Sequence, residues 1–89
     1  MIEAIWDEGF KRRYKKRFKQ RAELKHKFWN RMDVFLSDPF SSRLRTHKLS
    51  GKLHGLWAFS IDDDYRVVFE FIDKDQVLLI DIGTHDEVY

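Results

Sequence analysis

The stretch Leu56-Trp57-Ala58-Phe59-Ser60-Ile61-Asp62-Asp63-Asp64-Tyr65-Arg66-Val67-Val68-Phe69-Glu70-Phe71-Ile72 decides the fold class. Trp57, Phe59 and Ile61 alternate with Ala58 and Ser60, and Tyr65, Val67, Phe69 and Phe71 alternate with Arg66, Val68 and Glu70. A period of two in β-branched and aromatic residues predicts two strands, each with one buried face. The three aspartates between them predict the turn, because an Asp side chain can bond the backbone two residues on.

Downstream, Asp73-Lys74-Asp75 predicts a second turn. Gln76 to Ile82 is then a near-continuous apolar run, as in a central strand covered on both faces. Upstream, His47 to Leu49 predicts a short edge strand after a polar loop over 37–46. Further upstream the period becomes helical. Phe10, Tyr14 and Phe18 form one stripe, and Leu24, Phe28 and Met32 with Phe35 form another. Asp7-Glu8-Gly9 opens the first helix and Ser37-Asp38-Pro39 closes the second. No Gly or Pro separates the stripes. A single helix over 8–36 would be about 43 Å long, whereas a compact chain of this length is roughly 30 Å across. The geometry therefore predicts helices near 8–19 and 22–36, broken around Lys19 to Arg21. With Ile2 to Trp6 as a first strand, the order is β-α-α-β-β-β, an α+β fold with an antiparallel-dominated sheet on a helical hairpin. All 89 residues form one domain.

Composition excludes several classes of function. There is no cysteine, so disulfides and thiolate metal sites are out. No apolar run approaches the roughly 20 residues of a membrane span, and the N-terminus lacks the features of a signal peptide; a cytoplasmic protein is the expectation. The net charge of +2 hides a split. Residues 1–48 carry 14 Lys/Arg against 6 Asp/Glu, and residues 49–89 carry 3 against 9. A basic first half, with Lys11, Arg12, Lys15 and Lys16 on the first helix, fits either a polyanion such as RNA or a solvated helix surface.

Chemistry-bearing residues gather in the second half. Arg66 lies inside a strand, where a charge needs a partner. It serves either a structural ion pair or a phosphate, which a guanidinium holds bidentately. His85 follows the apolar strand and a glycine, a position suited to acid–base work near neutral pH. His47 and His54 do not have a metal-ligand spacing, and neither a Gly-rich phosphate loop nor a nucleophile elbow is present. No metal or cofactor is expected.

These motifs resemble the toxin half of bacterial type II toxin–antitoxin pairs, the RelE/ParE superfamily, over essentially the whole chain. His47-x-Leu49-x-Gly51 followed by Trp57, and Gly83-Thr84-His85 followed four residues later by Tyr89, are similar to the YafQ branch. Asp64-Tyr65-Arg66-Val67-Val68 is similar to RelE itself. The resemblance implies a ribosome-dependent mRNA endoribonuclease that works without a metal, with a cognate antitoxin, the ribosome and mRNA as partners. It implies that Arg66 stabilises the scissile phosphate, that His85 and His47 act as acid or base, that Tyr89 stacks on or orients the nucleotide, and that Asp64 belongs to the site. Two departures stand out. The RelE strand lysines fall on Trp57 and Phe59, and a further YafQ histidine falls on Ser60, which leaves Lys48, Lys52 or His54 to compensate. The rival readings are a non-enzymatic toxin that binds DNA gyrase and an inactive RNA-binding relic.

Overall fold

The computed structural model describes all 89 residues. Its elements run β1 (Glu3–Trp6), α1 (Glu8–Arg17), α2 (Ala22–Ser37), β2 (His47–Lys48), a single 3₁₀ turn (Gly51–Leu53), β3 (Trp57–Ser60), β4 (Tyr65–Phe71), β5 (Gln76–Thr84) and α3 (His85–Val88). The five strands form one sheet in the order β1-β5-β4-β3-β2. Only β1 and β5 are parallel, and every other pair is antiparallel. The predicted order and fold class hold. The C-terminal turn α3 is an addition to them.

The helical segment folds back where the length argument required. The Cα radius of gyration is 12.0 Å, and the break falls at Gln20, whose φ of 57° lies in the left-handed region. Asp7 caps α1 by accepting from the Gly9 N–H at 2.9 Å, and Lys15, Lys16 and Arg17 complement the dipole at its end. α2 starts at Arg21 with no side-chain cap.

The two stripes meet face to face. Phe10, Phe18, Leu24, Phe28, Met32 and Phe35 are all buried, and Tyr14 is partly so. Phe28 is the hub, with ring contacts to Trp6, Phe10, Tyr14, Phe18 and Trp29 at centroid separations of 5.0–6.3 Å. Phe35 continues the core into the sheet, stacked on Phe59 at 4.6 Å and edge-on to Phe69 at 4.9 Å. Phe59, Val67, Phe69, Val77, Leu79 and Ile82 complete it from the strands.

The helical hairpin covers one face of the sheet only, which corrects the expectation for the apolar run at 76–82. β5 is interior in strand order, but Leu78 and Ile80 are only half-buried. The run is continuous for another reason. Val68 pairs with Asp81 and Phe69 with Leu79, so Ile80 is an extra residue in β5. This bulge shifts the alternation by one, so that Val77, Leu79 and then Ile82 face the helices. No helix is long and apolar enough to cross a membrane.

Truncating the hub should be severe. Phe28→Ala is expected to destabilise the fold by about 3–5 kcal/mol, the usual range for a buried Phe. Urea denaturation followed by far-UV circular dichroism measures it, and a loss below ~1 kcal/mol would contradict the packing described.

Candidate functional site

The face of the sheet away from the helices carries the chemistry. Directly paired residues share a face, so the pairs Ser60–Arg66 and Arg66–Gly83 place Arg66 there between two small neighbours. These leave room for its long side chain. Nη1 donates to the carbonyls of Asp62 and Asp63, both at 3.0 Å, and of Tyr65 at 3.3 Å. The turn that offers these carbonyls is held by Asp62, whose Oδ1 accepts from the N–H groups of Asp64 and Tyr65 at 2.9 and 2.8 Å. Arg66 is thus steadied by neutral acceptors and pairs with no carboxylate. Of its two readings, the structural ion pair is absent, and the positive charge stays available.

The C-terminal turn lies on the same face. Val88 is buried against Ala58 and Val68, with Leu49 and Leu56 beside them. A reciprocal cap opens the turn: the Glu87 N–H donates to Thr84 Oγ1, and the Thr84 N–H donates to Glu87 Oε1 at 2.7 Å. The N–H of His85 donates to the Asp64 carbonyl at 3.1 Å, which ties the turn to the start of β4. The exposed His85 ring meets the Tyr89 ring edge to face at 4.6 Å. Burial pushes the Tyr89 phenol above its ordinary value, and the nearby Arg66 charge opposes this, so Tyr89 is a neutral phenol at pH 7. Glu87 is held below the carboxylate range, first by the Thr84 N–H and then by Arg17. What it contributes is present above the ordinary carboxylate pKa and is lost only as pH falls through its lowered folded value.

The structure thus sets Tyr89 against His85 and within reach of the Arg66 charge. Asp64 joins them through its backbone, and its carboxylate lines a cleft of about 300 Å³ with Arg21, Asp63, Tyr65, Thr84, His85 and Asp86. Arg21 reaches this cleft from the helix layer, donating to the Tyr65 hydroxyl at 2.6 Å with its guanidinium over the ring. No set of three or more His, Asp or Glu side chains converges to hold a metal ion.

His47 pairs with Ala58 and so shares the open face, but it stands on the edge strand. Two strand spacings, about 10 Å, separate it from β4. Its Nδ1 lies 2.9 Å from the Arg45 carbonyl. A carbonyl only accepts, so this bond requires Nδ1–H and leaves Nε2 as the free base in the neutral ring. Lys48 points the other way, over the Trp57 ring at 5.5 Å. With His54, Leu49, Leu56 and Phe71, these two line a separate pocket. Lys52 is exposed on the 3₁₀ turn. Trp57 and Phe59 face the helices. The open face of β3 thus carries Ala58 and Ser60 and no cation. Lys11, Arg12, Lys15 and Lys16 are exposed on α1, in the layer opposite the site.

Sequence reasoning passed over Arg17, Arg21 and the cap at Thr84 and Glu87. The cap was legible, since Thr84-x-x-Glu87 has the spacing of a capping box. The two arginines were hidden in a run of seven basic residues over 11–19 with Arg21 beyond it. Only the fold separates those that turn toward β5 from those that face solvent.

A five-stranded, mostly antiparallel sheet with a helical hairpin on one face matches the fold of RelE-like toxins. The family model described as the bacterial toxin of type II toxin–antitoxin systems, YafQ, matches residues 2–89. The chain belongs to this YafQ toxin family. Among solved structures it is similar to YafQ from Escherichia coli BL21(DE3), with a TM-score of 0.75 and 14% identity over 100% of this chain and 99% of that one. It is also similar to a metal-bound toxin from Helicobacter pylori, with a TM-score of 0.79 and 19% identity over 100% of both chains. The toxin fold recurs in a YoeB–YefM complex from Staphylococcus aureus, with a TM-score of 0.74, 14% identity, and coverage of 96% of this chain and 98% of that one. No curated protein sequence matches the chain.

The His47 geometry sets its tautomer. At a pH where the imidazole is neutral, its ¹⁵N shifts should show the proton on Nδ1. A ring protonated on Nε2 would mean that the bond to the Arg45 carbonyl does not form in solution.

Proposed function

We propose that this toxin is an endoribonuclease that cuts mRNA on the ribosome by attack of the ribose 2′-hydroxyl on its own 3′-phosphate. The observation that carries the reading is Arg66, free of any carboxylate and near enough to Tyr89 for its charge to act on the phenol, with the Tyr89 ring against that of His85. All three bonds that steady Arg66 use Nη1, which leaves the other edge of the guanidinium fork for phosphate oxygens. There it stabilises the charge that builds as the 2′-oxygen adds to phosphorus. His85 or His47 accepts the 2′-hydroxyl proton, and a second group protonates the departing 5′-oxygen. The products are a 2′,3′-cyclic phosphate and a free 5′-hydroxyl. Tyr89, a neutral phenol with one exposed edge, stacks on or orients a base beside the scissile bond. The scheme uses no metal. The need for a 2′-hydroxyl restricts cleavage to RNA. Lys11, Arg12, Lys15 and Lys16, on the opposite layer, grip ribosomal RNA phosphates rather than the message. The toxin works in the cytoplasm, where a cognate antitoxin made beside it keeps it silent.

The bare face of β3 favours the RNA-binding relic as the second reading, and one experiment separates them. Toeprinting of a translated message with purified toxin should reveal cleavage within the ribosomal A site. Arg66→Ala should reduce it by about 10²–10³-fold, the usual cost of removing charge stabilisation at a transition state, and His85→Ala should also reduce it, both without loss of fold. Ribosome binding without cuts would establish the relic, and inhibition of DNA gyrase in place of cleavage would establish the gyrase-directed reading.

The antitoxin reading has its own test. Co-expression with the adjacent small open reading frame should yield a stable complex and restore growth, and the electrostatic part of the binding should weaken with salt. A neighbour that neither binds nor rescues would remove the regulatory half of the proposal.

A further inference from the structure

β1 runs beside β5 only as far as Leu79, the partner of Trp6. From Ile80 to Thr84, the edge of β5 that faces away from β4 has no strand neighbour. Four of its backbone groups are nevertheless bonded by side chains. The Ile80 carbonyl accepts from Arg13 Nη1 at 3.0 Å. The Ile82 N–H donates to Asp81 Oδ1 at 2.8 Å, and the Ile82 carbonyl accepts from Arg17 Nη1 at 2.6 Å. The Thr84 N–H donates to Glu87 Oε1. Arg17 joins these groups into one network, with Nη1 3.2 Å from Asp81 Oδ1 and Nε 3.5 Å from Glu87 Oε2. The network lies directly over Gly83, where an added Cβ would sit 2.6 Å from Arg17 Nη1 and 2.8 Å from Glu87 Oε1.

α3 is a single turn of four residues, and a helix that short does not stand by itself. Its place depends on its anchors, which are the His85 N–H bond to Asp64, the packing of Val88, and Glu87. Of these, only Glu87 connects the turn to the helix layer, through Arg17. α1 is itself fixed by Phe10 and Phe18, both fully buried.

We propose that Arg17 is a positioning residue. By clamping Glu87 against the Ile82 carbonyl and Asp81, it sets where His85 and Tyr89 stand relative to Arg66. The guanidinium suits the task because it reaches a carbonyl and two carboxylates at once from a planar fork, which a lysine ammonium cannot do as well. The catalytic half of this inference rests on the endoribonuclease reading above. The structural half stands without it.

The test uses the full-length toxin and the variants Arg17→Ala, Arg17→Lys and Glu87→Gln, with two readouts. The first is hydrogen exchange at the amides of Thr84, His85, Glu87 and Tyr89. In Arg17→Ala these should exchange at least about tenfold faster, while the amides that pair β3 with β4 stay unchanged. Arg17→Lys should restore protection in part. The second readout is cleavage on programmed ribosomes. There Arg17→Ala should lower kcat by about 10–100-fold, as misplacement of a catalytic group does, with KM little changed. A rise in KM at constant kcat would instead make Arg17 an RNA contact and overturn the proposal. So would unaltered exchange of the tail, or a loosened tail with undiminished kcat. If Arg17→Ala fails to fold, Glu87→Gln weakens the same clamp from the tail side by removing its charge while keeping an acceptor, and faster exchange of the tail with lower kcat is expected again, in smaller degree; unaltered exchange and kcat in this variant would overturn the proposal. If the wild-type toxin cuts no RNA, the endoribonuclease reading fails on its own, and the exchange data still decide whether Arg17 holds the tail.

Discussion

The sheet has two faces, and the chain has helices for only one. Much else follows from that constraint. The helical hairpin brings six buried aromatic or long apolar side chains to one side, where Phe28 and Phe35 lock them to the strands. The other side receives a cluster of only three buried residues, Ala58, Val68 and Val88. A small domain leaves such a face open because it lacks the chain to cover it. The open side can then hold an arginine and two histidines near water.

The division of labour between faces also explains which features were legible in the sequence. Alternation over 57–71 marked β3 and β4, and Arg66 was conspicuous because a strand that alternates so regularly shows each polar residue as facing one side. The helix break was legible from length alone, without a glycine to mark it. The apolar run at 76–82 was misread. A bulge at Ile80 and burial on both faces leave the same mark on a sequence, since each abolishes alternation. Only the register with Val68 and Phe69 separates them.

The site was legible in its residues and less so in its assembly. His85, Tyr89 and Arg66 converge because β4 and β5 are neighbours and the tail turns back on them. His47 has the right face but stands two strands away, a distance that strand order sets and residue spacing does not. The basic run over 11–19 was read as one surface, yet it divides. Arg13 and Arg17 turn inward to backbone carbonyls, while Lys11, Arg12, Lys15 and Lys16 stay in solvent. A count of charges does not distinguish these two uses of the same residue types.

The side chains that satisfy the upper edge of β5 have a further effect, on how copies of the protein behave toward one another. An exposed run of unpaired N–H and C=O groups is a template on which a second chain can add a strand, and this is a common route to aggregation. Here the Ile80 and Ile82 carbonyls and the Ile82 and Thr84 N–H groups already have intramolecular partners, two of them cationic. A strand arriving from another molecule would have to displace two arginines and two carboxylates before it could form its first bond. The protein thus keeps a β-edge beside its site without that edge becoming a seam for self-association.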